Sequence, residues 1–326
     1  MPYDDLRSFI HALEQQGQLH RVTAEVDRRL EISEIADRVV KAGGPALLFE
    51  RVKGFGMPVA ANLFGSAERV KTALGVDDLD QLGRDVAALI EAAAAPGGWR
   101  RKMGALPHLR RLLASFPRRA RSAPCQEVVH DRDPSLAILP VLHCWPGDPA
   151  PFITMPLVFT RDPATGRRNV GMYRMQVFDD RTTGMHWHIH KDAAAQARRV
   201  LRAGGERLEA AVVIGADPAT VYAATLPLPP EVDELLVAGF LRRRGVEVTR
   251  CRTVDLAVPA RAEIVLEGYV DLVNRRIEGP FGDHTGFYSP AEPFPVFHLT
   301  CLTHRRDPVY LTTIVGKPPM EDYFMG

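Results

Sequence analysis

The chain has 326 residues, 46% of them hydrophobic, with 41 basic residues against 40 acidic ones. This length suggests about two domains, the apolar share is ample for a globular core, and the near-balance of charge sets up no field that would demand nucleic acid. The acidic opening Met1-Pro2-Tyr3-Asp4-Asp5 is no secretory signal and no run of 18 apolar residues offers a membrane-spanning helix, so a soluble, unexported protein is expected.

Asp4 or Asp5 can cap a first helix whose apolar face is Leu6, Phe9, Ile10 and Leu13, ending at Gly17. Ile32, Ile35, Ala36, Val39 and Val40 predict a second helix, stopped by Gly43-Gly44-Pro45. Strand-like runs follow at Ala46–Val52 and Met57–Phe64, then helices near Ala67–Leu74 and Asp78–Ala95. Residues 1–95 therefore read as an N-terminal α/β domain. Residues 96–124 carry eight Arg or Lys and no acid. They read as a solvated basic linker with one short helix, or else as a contact for an anionic partner, a subunit or a membrane surface.

From Ser135 the pattern changes. Strand-like runs recur at Ile153–Arg161, Asn169–Phe178, Thr183–His190, Glu209–Ile214, Glu247–Arg252, Glu263–Val270 and Val296–Leu302. Asp162-Pro163-Ala164-Thr165-Gly166 is a turn signal between the first two. Two helices interrupt, Lys191–Ala203 and Glu231–Arg244. Many strands with few helices predict a barrel-like sheet domain over 125–317 and an α+β class overall. The cysteines Cys125, Cys144, Cys251 and Cys301 are far apart with no C-x-x-C pair, which favours free thiols in a reducing cytoplasm over a disulfide framework.

Several stretches carry polar groups where a plain core would not. His186, His188 and His190 alternate, so a strand would point all three to one face. Imidazole is a common metal ligand. Three together could serve zinc, although no H-E-x-x-H or cysteine pair supports it; hydrogen-bonded barrel residues are the plainer alternative. Asn169 and Arg174 sit amid apolar strand residues and would face opposite sides unless a bulge intervenes at Gly171. That glycine would also let a cofactor approach the backbone. Arg174 offers a fork for a carboxylate or phosphate, or is a surface residue of a hairpin. Glu231, Asp233 and Glu234 open a helix, where the dipole favours carboxylates whatever else they do. Ile214–Pro218 resembles an anion-binding turn. No G-x-G-x-x-G follows a strand, and no P-loop or G-x-S-x-G exists, which leaves no sign of dinucleotide, nucleotide or serine-hydrolase chemistry. Glu278 and Asp283 lie around a Gly-Pro-Phe-Gly turn, followed by His284. Either Asp283 caps that turn or the segment aims two acids into a cleft.

Seven segments in order resemble the UbiD family of reversible decarboxylases, which use prenylated FMN. They are NVGMYRMQ, HWHIHKD, GADPAT, PLPPEVDELLVAGFLR, VPARAEIVLEGYV, EGPFGDHTGFY and GKPPMEDYFMG, and the resemblance covers essentially the whole chain. It implies an N-terminal α/β domain, then a flavin-reductase-like split β-barrel, then a C-terminal α/β domain. On that reading residues 318–326 begin the connection to a C-terminal domain missing from this chain, and the full-length form is a homo-oligomer.

The resemblance also implies a site. Asn169, His190 and Glu234 would hold Mn²⁺ against the flavin phosphate, with K⁺ as an accompanying ion. Met172, Tyr173, Arg174, His186, Trp187, His188 and Lys191 would contact the prenylated FMN. Arg174, Glu278 and Asp283 would form the acid–base network; many relatives have Glu where this chain has Asp283. The implied reaction is non-oxidative decarboxylation of an aromatic or α,β-unsaturated acid, with a flavin prenyltransferase as the supplier of cofactor. The first expectation is 4-hydroxy-3-polyprenylbenzoate on a ubiquinone route, in the cytoplasm and with peripheral membrane contact; the next is a naphthoate of a menaquinone route. Readings from other classes are an inactive flavin- or metal-binding partner subunit, and a zinc hydrolase on the three histidines.

Overall fold

A computed structural model of the chain describes residues 3–94, 113–188, 191–230 and 232–325. The first helix, Leu6–Gln15, buries Leu6, Phe9, Ile10 and Leu13, and is started by Asp5, whose carboxylate accepts the Ser8 N–H. Helix Ala67–Leu74 keeps both of its expected ends, because Ser66 caps one and Gly75 closes the other in a left-handed conformation.

The N-terminal sheet runs Leu19–Val26, Ala46–Val52, Val59–Ala61 and then Tyr310–Leu311. The first two strands are parallel, the third is antiparallel to the second, and the fourth is parallel to the third. The Met57–Phe64 run is a strand only over Val59–Ala61, because Asn62 turns the chain with a φ of 58°. The last strand comes from the segment that the sequence pattern assigns to the barrel. Beyond it, Glu321 accepts the backbone N–H groups of Asn62 at 3.1 Å and Phe64 at 2.8 Å, tying the two ends of the chain together.

The second sheet has seven strands. Its order is Thr182–Gly184, Glu292–His304, Ile264–Glu278, Arg207–Ile214, Leu157–Arg161 and Arg168–Met172, with Val128–His130 also pairing on Glu292–His304. All these pairings are antiparallel. Among the described residues the two end strands do not pair with each other, so the barrel is split. The strand expected at Glu263–Val270 runs on to Glu278 through a register shift between Asp271 and Arg275. Asp271 accepts the N–H groups of Val273 and Asn274 there. The shift bends the strand and carries its end over the cleft described below.

The described end of the basic segment is docked onto the protein. Arg118–Arg119 pairs in parallel with Glu247 and Val248, and Gly239 and Gly245 admit the backbone of Ser115 and Phe116, where a Cβ would come within 1.9 Å of either carbonyl oxygen. Residues 96–112 lie outside the described residues. All four cysteines are free. Among the described residues no helix is long and apolar enough to cross a membrane.

Candidate active site

A cleft of about 550 Å³ opens between the two sheets' connecting segments. Its walls come from the end of strand Arg168–Met172, the His-rich stretch, residues 224–228, the 281–284 loop and the leg at 315–322. Asn169 and Arg174 both reach it, though not by a bulge. The pairing from Arg161 opposite Arg168 to Leu157 opposite Met172 is unbroken, so the bulge that Gly171 could have permitted is absent. Instead the strand ends at Met172, and Met175–Gln176 pairs with Phe152–Ile153, which turns Arg174 back toward the cleft. Gly171 is needed because the Tyr173 ring folds over it, with the hydroxyl 2.4 Å from where a Cβ would sit. The Gly171 backbone still lines the cleft.

Arg174 is the hub. Its Nε donates to Glu278 Oε1 at 3.1 Å and its Nη2 to Ser289 Oγ at 3.1 Å. Nη1 lies 3.6 Å from Asp283 Oδ2, and the guanidinium stacks 4.3 Å over Phe281. Glu278 is 1% exposed, and Gly184 makes its room: a Cβ there would be 2.8 Å from Oε2. His186 Nδ1 approaches the same Oε1 at 2.7 Å, and its Nε2 lies 3.1 Å from His188 Nε2. The strand ends at Gly184, so these histidines are not strand residues as expected. The chain turns tightly at His186, where the Trp187 N–H donates to the Met185 carbonyl at 2.8 Å, and Trp187 is buried. Trp187 lies edge-on to Tyr173 and lines a separate small pocket with Ala194 and Leu272. Trp187, expected among the cofactor contacts, is not among the residues that line the cleft, and it packs against Tyr173 instead. Met172, Tyr173, Arg174, His186, His188 and Lys191 do line the cleft.

Asp283 also lines the cleft. Burial pushes its pKa up, but bonds from the ring and N–H of His284 and the charge of Arg174 outweigh that and hold it below the usual carboxylate value. At His188 burial acts first, and His186, Arg174 and Lys191 add to it, so its pKa is lowered.

Asn169 and Glu234 line the same cleft and are both buried. Glu234 is the first residue of helix Glu234–Arg242, behind the capping residue Asp233, which also pairs with Arg168 at 2.8 Å. The helix starts later than expected, and Glu231 lies outside the described residues. Asn169 Nδ2 and Glu234 Oε2 have no hydrogen-bond partner among the described residues. Burial, helped by Asp233 and Asp192, pushes the Glu234 carboxyl up to about 8. A buried acid with no ion-pair partner among the described residues, lining one cleft with an orphaned amide, is a donor set that fits a cation. His190, the expected third ligand, lies outside the described residues. Among those described, no group of three His, Cys, Asp or Glu could hold a metal, and His186 and His188 are engaged with Glu278 and each other.

Some residues of the site carry no sequence signal that distinguishes them. Ser289 and Phe281 hold Arg174, and Gln176 accepts the Gly279 N–H at 2.7 Å. Asp148 takes the N–H groups of Trp145 and Gly282, each at 3.0 Å. The Trp145 ring fills the space beside Gly282, and its Nε1 donates to the Val315 carbonyl at 2.7 Å. The turn residues of Trp145-Pro146-Gly147-Asp148 are the sole hint, and they point to a turn rather than to a clamp on the acid loop. Asp217 in the supposed anion-binding turn instead caps helix Pro218–Ala223 and pairs with the buried Arg242 at 2.7 Å.

Comparison with known proteins places the chain in a family. Residues 10–88 match the 3-octaprenyl-4-hydroxybenzoate carboxy-lyase N-terminal domain, and residues 118–318 the Rift-related domain of the same carboxy-lyase. An uncharacterized protein of Archaeoglobus fulgidus is 52% identical over 326 residues, covering 100% of this chain and 67% of the relative. The UbiD-class enzyme HmfF of Pelotomaculum thermopropionicum, solved in complex with prFMN as an evolved dimeric form, is 33% identical with a TM-score of 0.80, covering 98% of this chain and 69% of that one. Vanillic acid decarboxylase of Sedimentibacter hydroxybenzoicus, in closed form, is 29% identical with a TM-score of 0.85, covering 100% and 67%. Two domain matches in the expected order, with 52% identity to one relative across the whole of this chain, make it a member of the UbiD family of carboxy-lyases.

Proposed function

We propose that the protein decarboxylates an aromatic or α,β-unsaturated carboxylic acid without net oxidation, using prenylated FMN and Mn²⁺. The observation that carries this reading is Arg174, held over the cleft between Glu278 and Asp283. The matched domain descriptions name an octaprenyl-hydroxybenzoate carboxy-lyase, which supports 4-hydroxy-3-polyprenylbenzoate, on a ubiquinone route, as the first substrate to test. HmfF is solved with prFMN, which supports that cofactor. The four free thiols fit a reducing compartment such as the cytoplasm.

Prenylated FMN, when bound, supplies the electron sink for the pair released as CO₂ leaves. This chain's residues supply position and charge. Glu278 and Ser289 fix the Arg174 guanidinium from two sides, leaving its Nη1 edge toward Asp283 and the cleft for a substrate carboxylate. Phe281 beneath the guanidinium keeps water off its face. Asp283 then gives a proton to the carbon that lost CO₂, a role for which a positioned acid contributes roughly 10²–10⁴-fold. Asn169, His190 and Glu234 would hold Mn²⁺, whose charge, with K⁺ nearby and Lys191 at the cleft wall, suits the phosphate end of the flavin.

The test is co-expression with a flavin prenyltransferase, followed by the visible spectrum, metal content, and CO₂ release from 4-hydroxybenzoates. Bound flavin, stoichiometric Mn²⁺ and CO₂ release are expected. Zinc without flavin absorbance would overturn the reading.

A further inference from the structure

Replacing a carboxylate by hydrogen consumes one proton per turnover, RCOO⁻ + H⁺ → RH + CO₂. A half-buried acid must therefore be reloaded from solvent in every cycle. In the resting protein Asp283 favours the carboxylate, as its lowered pKa shows. His284 Nδ1 lies 2.8 Å from Asp283 Oδ1, while the ring is 69% exposed. The His284 backbone N–H makes a second bond to the same oxygen, also at 2.8 Å. That backbone bond and Arg174 already hold the carboxylate in place. The ring adds a donor that can give its proton away, which neither an amide N–H nor a guanidinium does near neutral pH. Three other charged groups stand around this loop. Asp322 faces it from the turn Glu321–Phe324, Lys317 packs its stem against Gly286 of the same loop, and Arg174 stands on the far side of Asp283.

We propose that His284 delivers the proton that Asp283 spends: solvent protonates Nε2, the Nδ1 proton passes to Asp283 Oδ1, and Asp283 passes it to the substrate carbon. The first transfer breaks an N–H bond and forms an O–H bond. The second breaks the O–H bond and forms the C–H bond, and exchange with solvent returns the ring to its Nδ1–H form. His284 touches no substrate in this scheme; it is a positioning and relay residue acting through Asp283. The inference rests on the decarboxylase reading above.

Two measurements test it. In the full-length holoprotein, His284→Asn keeps a side-chain N–H donor but cannot ionise. It should lower kcat about tenfold, less than the 10²–10⁴ of the acid itself, leave KM and flavin content unchanged, and recover rate with added imidazole. In the cofactor-free chain, ¹⁵N NMR should place the neutral-ring proton of His284 on Nδ1, and Asp283→Asn should abolish that preference. A His284→Asn enzyme with wild-type kcat from pH 5 to 8 and no response to imidazole overturns the relay, as does a ring carrying its proton on Nε2. Failure of the underlying reading looks different: the wild-type holoprotein releases no CO₂, or Asp283→Asn keeps the full rate, and the relay then falls with it.

Discussion

Replacing Arg174 by lysine keeps the charge and removes the fork. Arg174 uses three nitrogens in three directions, toward Glu278 at 3.1 Å, Ser289 at 3.1 Å and Asp283 at 3.6 Å. A single ammonium can occupy one of those directions at a time. Hydrogen bonds to charged groups contribute about 1.5–3 kcal/mol each. Lysine can keep one of the two hydrogen bonds, to Glu278 or to Ser289, and losing the other corresponds to a fall of about 10- to 150-fold in kcat/KM. The assay is CO₂ release by the holoprotein, with flavin occupancy read from the spectrum and Tm measured alongside. Arg174→Met is the companion variant. It strips the charge from beside the buried Glu278 and should cost about 3–5 kcal/mol of stability. A lysine enzyme within twofold of wild type, or a methionine variant with unchanged Tm, would refute the view that the guanidinium is held by its three-way geometry.

Other predictions concern single positions. Asp283→Asn should leave flavin content intact and cut turnover by about 10²–10⁴-fold; a near wild-type rate would return Asp283 to a turn-capping role. Because its pKa is lowered in the folded state, Asp283 adds stability that is fully present above the unfolded value of about 3.9 and is lost as pH falls through the lower folded value. Any Tm gap between wild type and Asp283→Asn at pH 7 should therefore narrow on acidification and close once pH is below the folded value; a gap that widens would contradict the sign. Gly171→Ala should cost about 1–3 kcal/mol by displacing the Tyr173 ring, and Tyr173→Ser in the same chain should remove most of that penalty in thermal melts. Glu234→Gln should abolish Mn²⁺ retention in elemental analysis of the holoprotein while the fold persists by circular dichroism; unchanged metal content would remove Glu234 from the ligand set.

What could be read from the sequence follows how local the cause is. Helices Leu6–Gln15 and Ala67–Leu74 carry their caps and their apolar faces within a few residues, so pattern alone finds them. Ala46–Val52 is a buried strand flanked by turns and is found in the same way. Tyr310–Leu311 has no such signal, because two residues in parallel pairing leave no periodicity. The His-rich stretch alternates as a strand would, yet it lacks a ladder partner beyond Gly184. Arg174, Glu278 and Asp283 could be grouped through the ordered family segments, but their spacing along the chain does not group them. The clamp on the acid loop by Trp145 and Asp148 stayed hidden because it joins segments more than a hundred residues apart through single hydrogen bonds.

The tie between Glu321 and the backbone of Phe64 spans 257 positions along the chain. On the ribosome the early segments emerge first. At about 5–20 residues per second they wait roughly ten to fifty seconds for the leg that completes their sheet. Over that interval Val59–Ala61, wholly buried in the finished protein, presents an unpaired edge of the kind that recruits other strands. Biogenesis should accordingly lean on chaperones that shield nascent edges. Chains released before residue 310 should partition into aggregates, whereas chains carrying Glu321 should not; equal solubility of the two in a truncation series would show that the early segments protect this edge unaided.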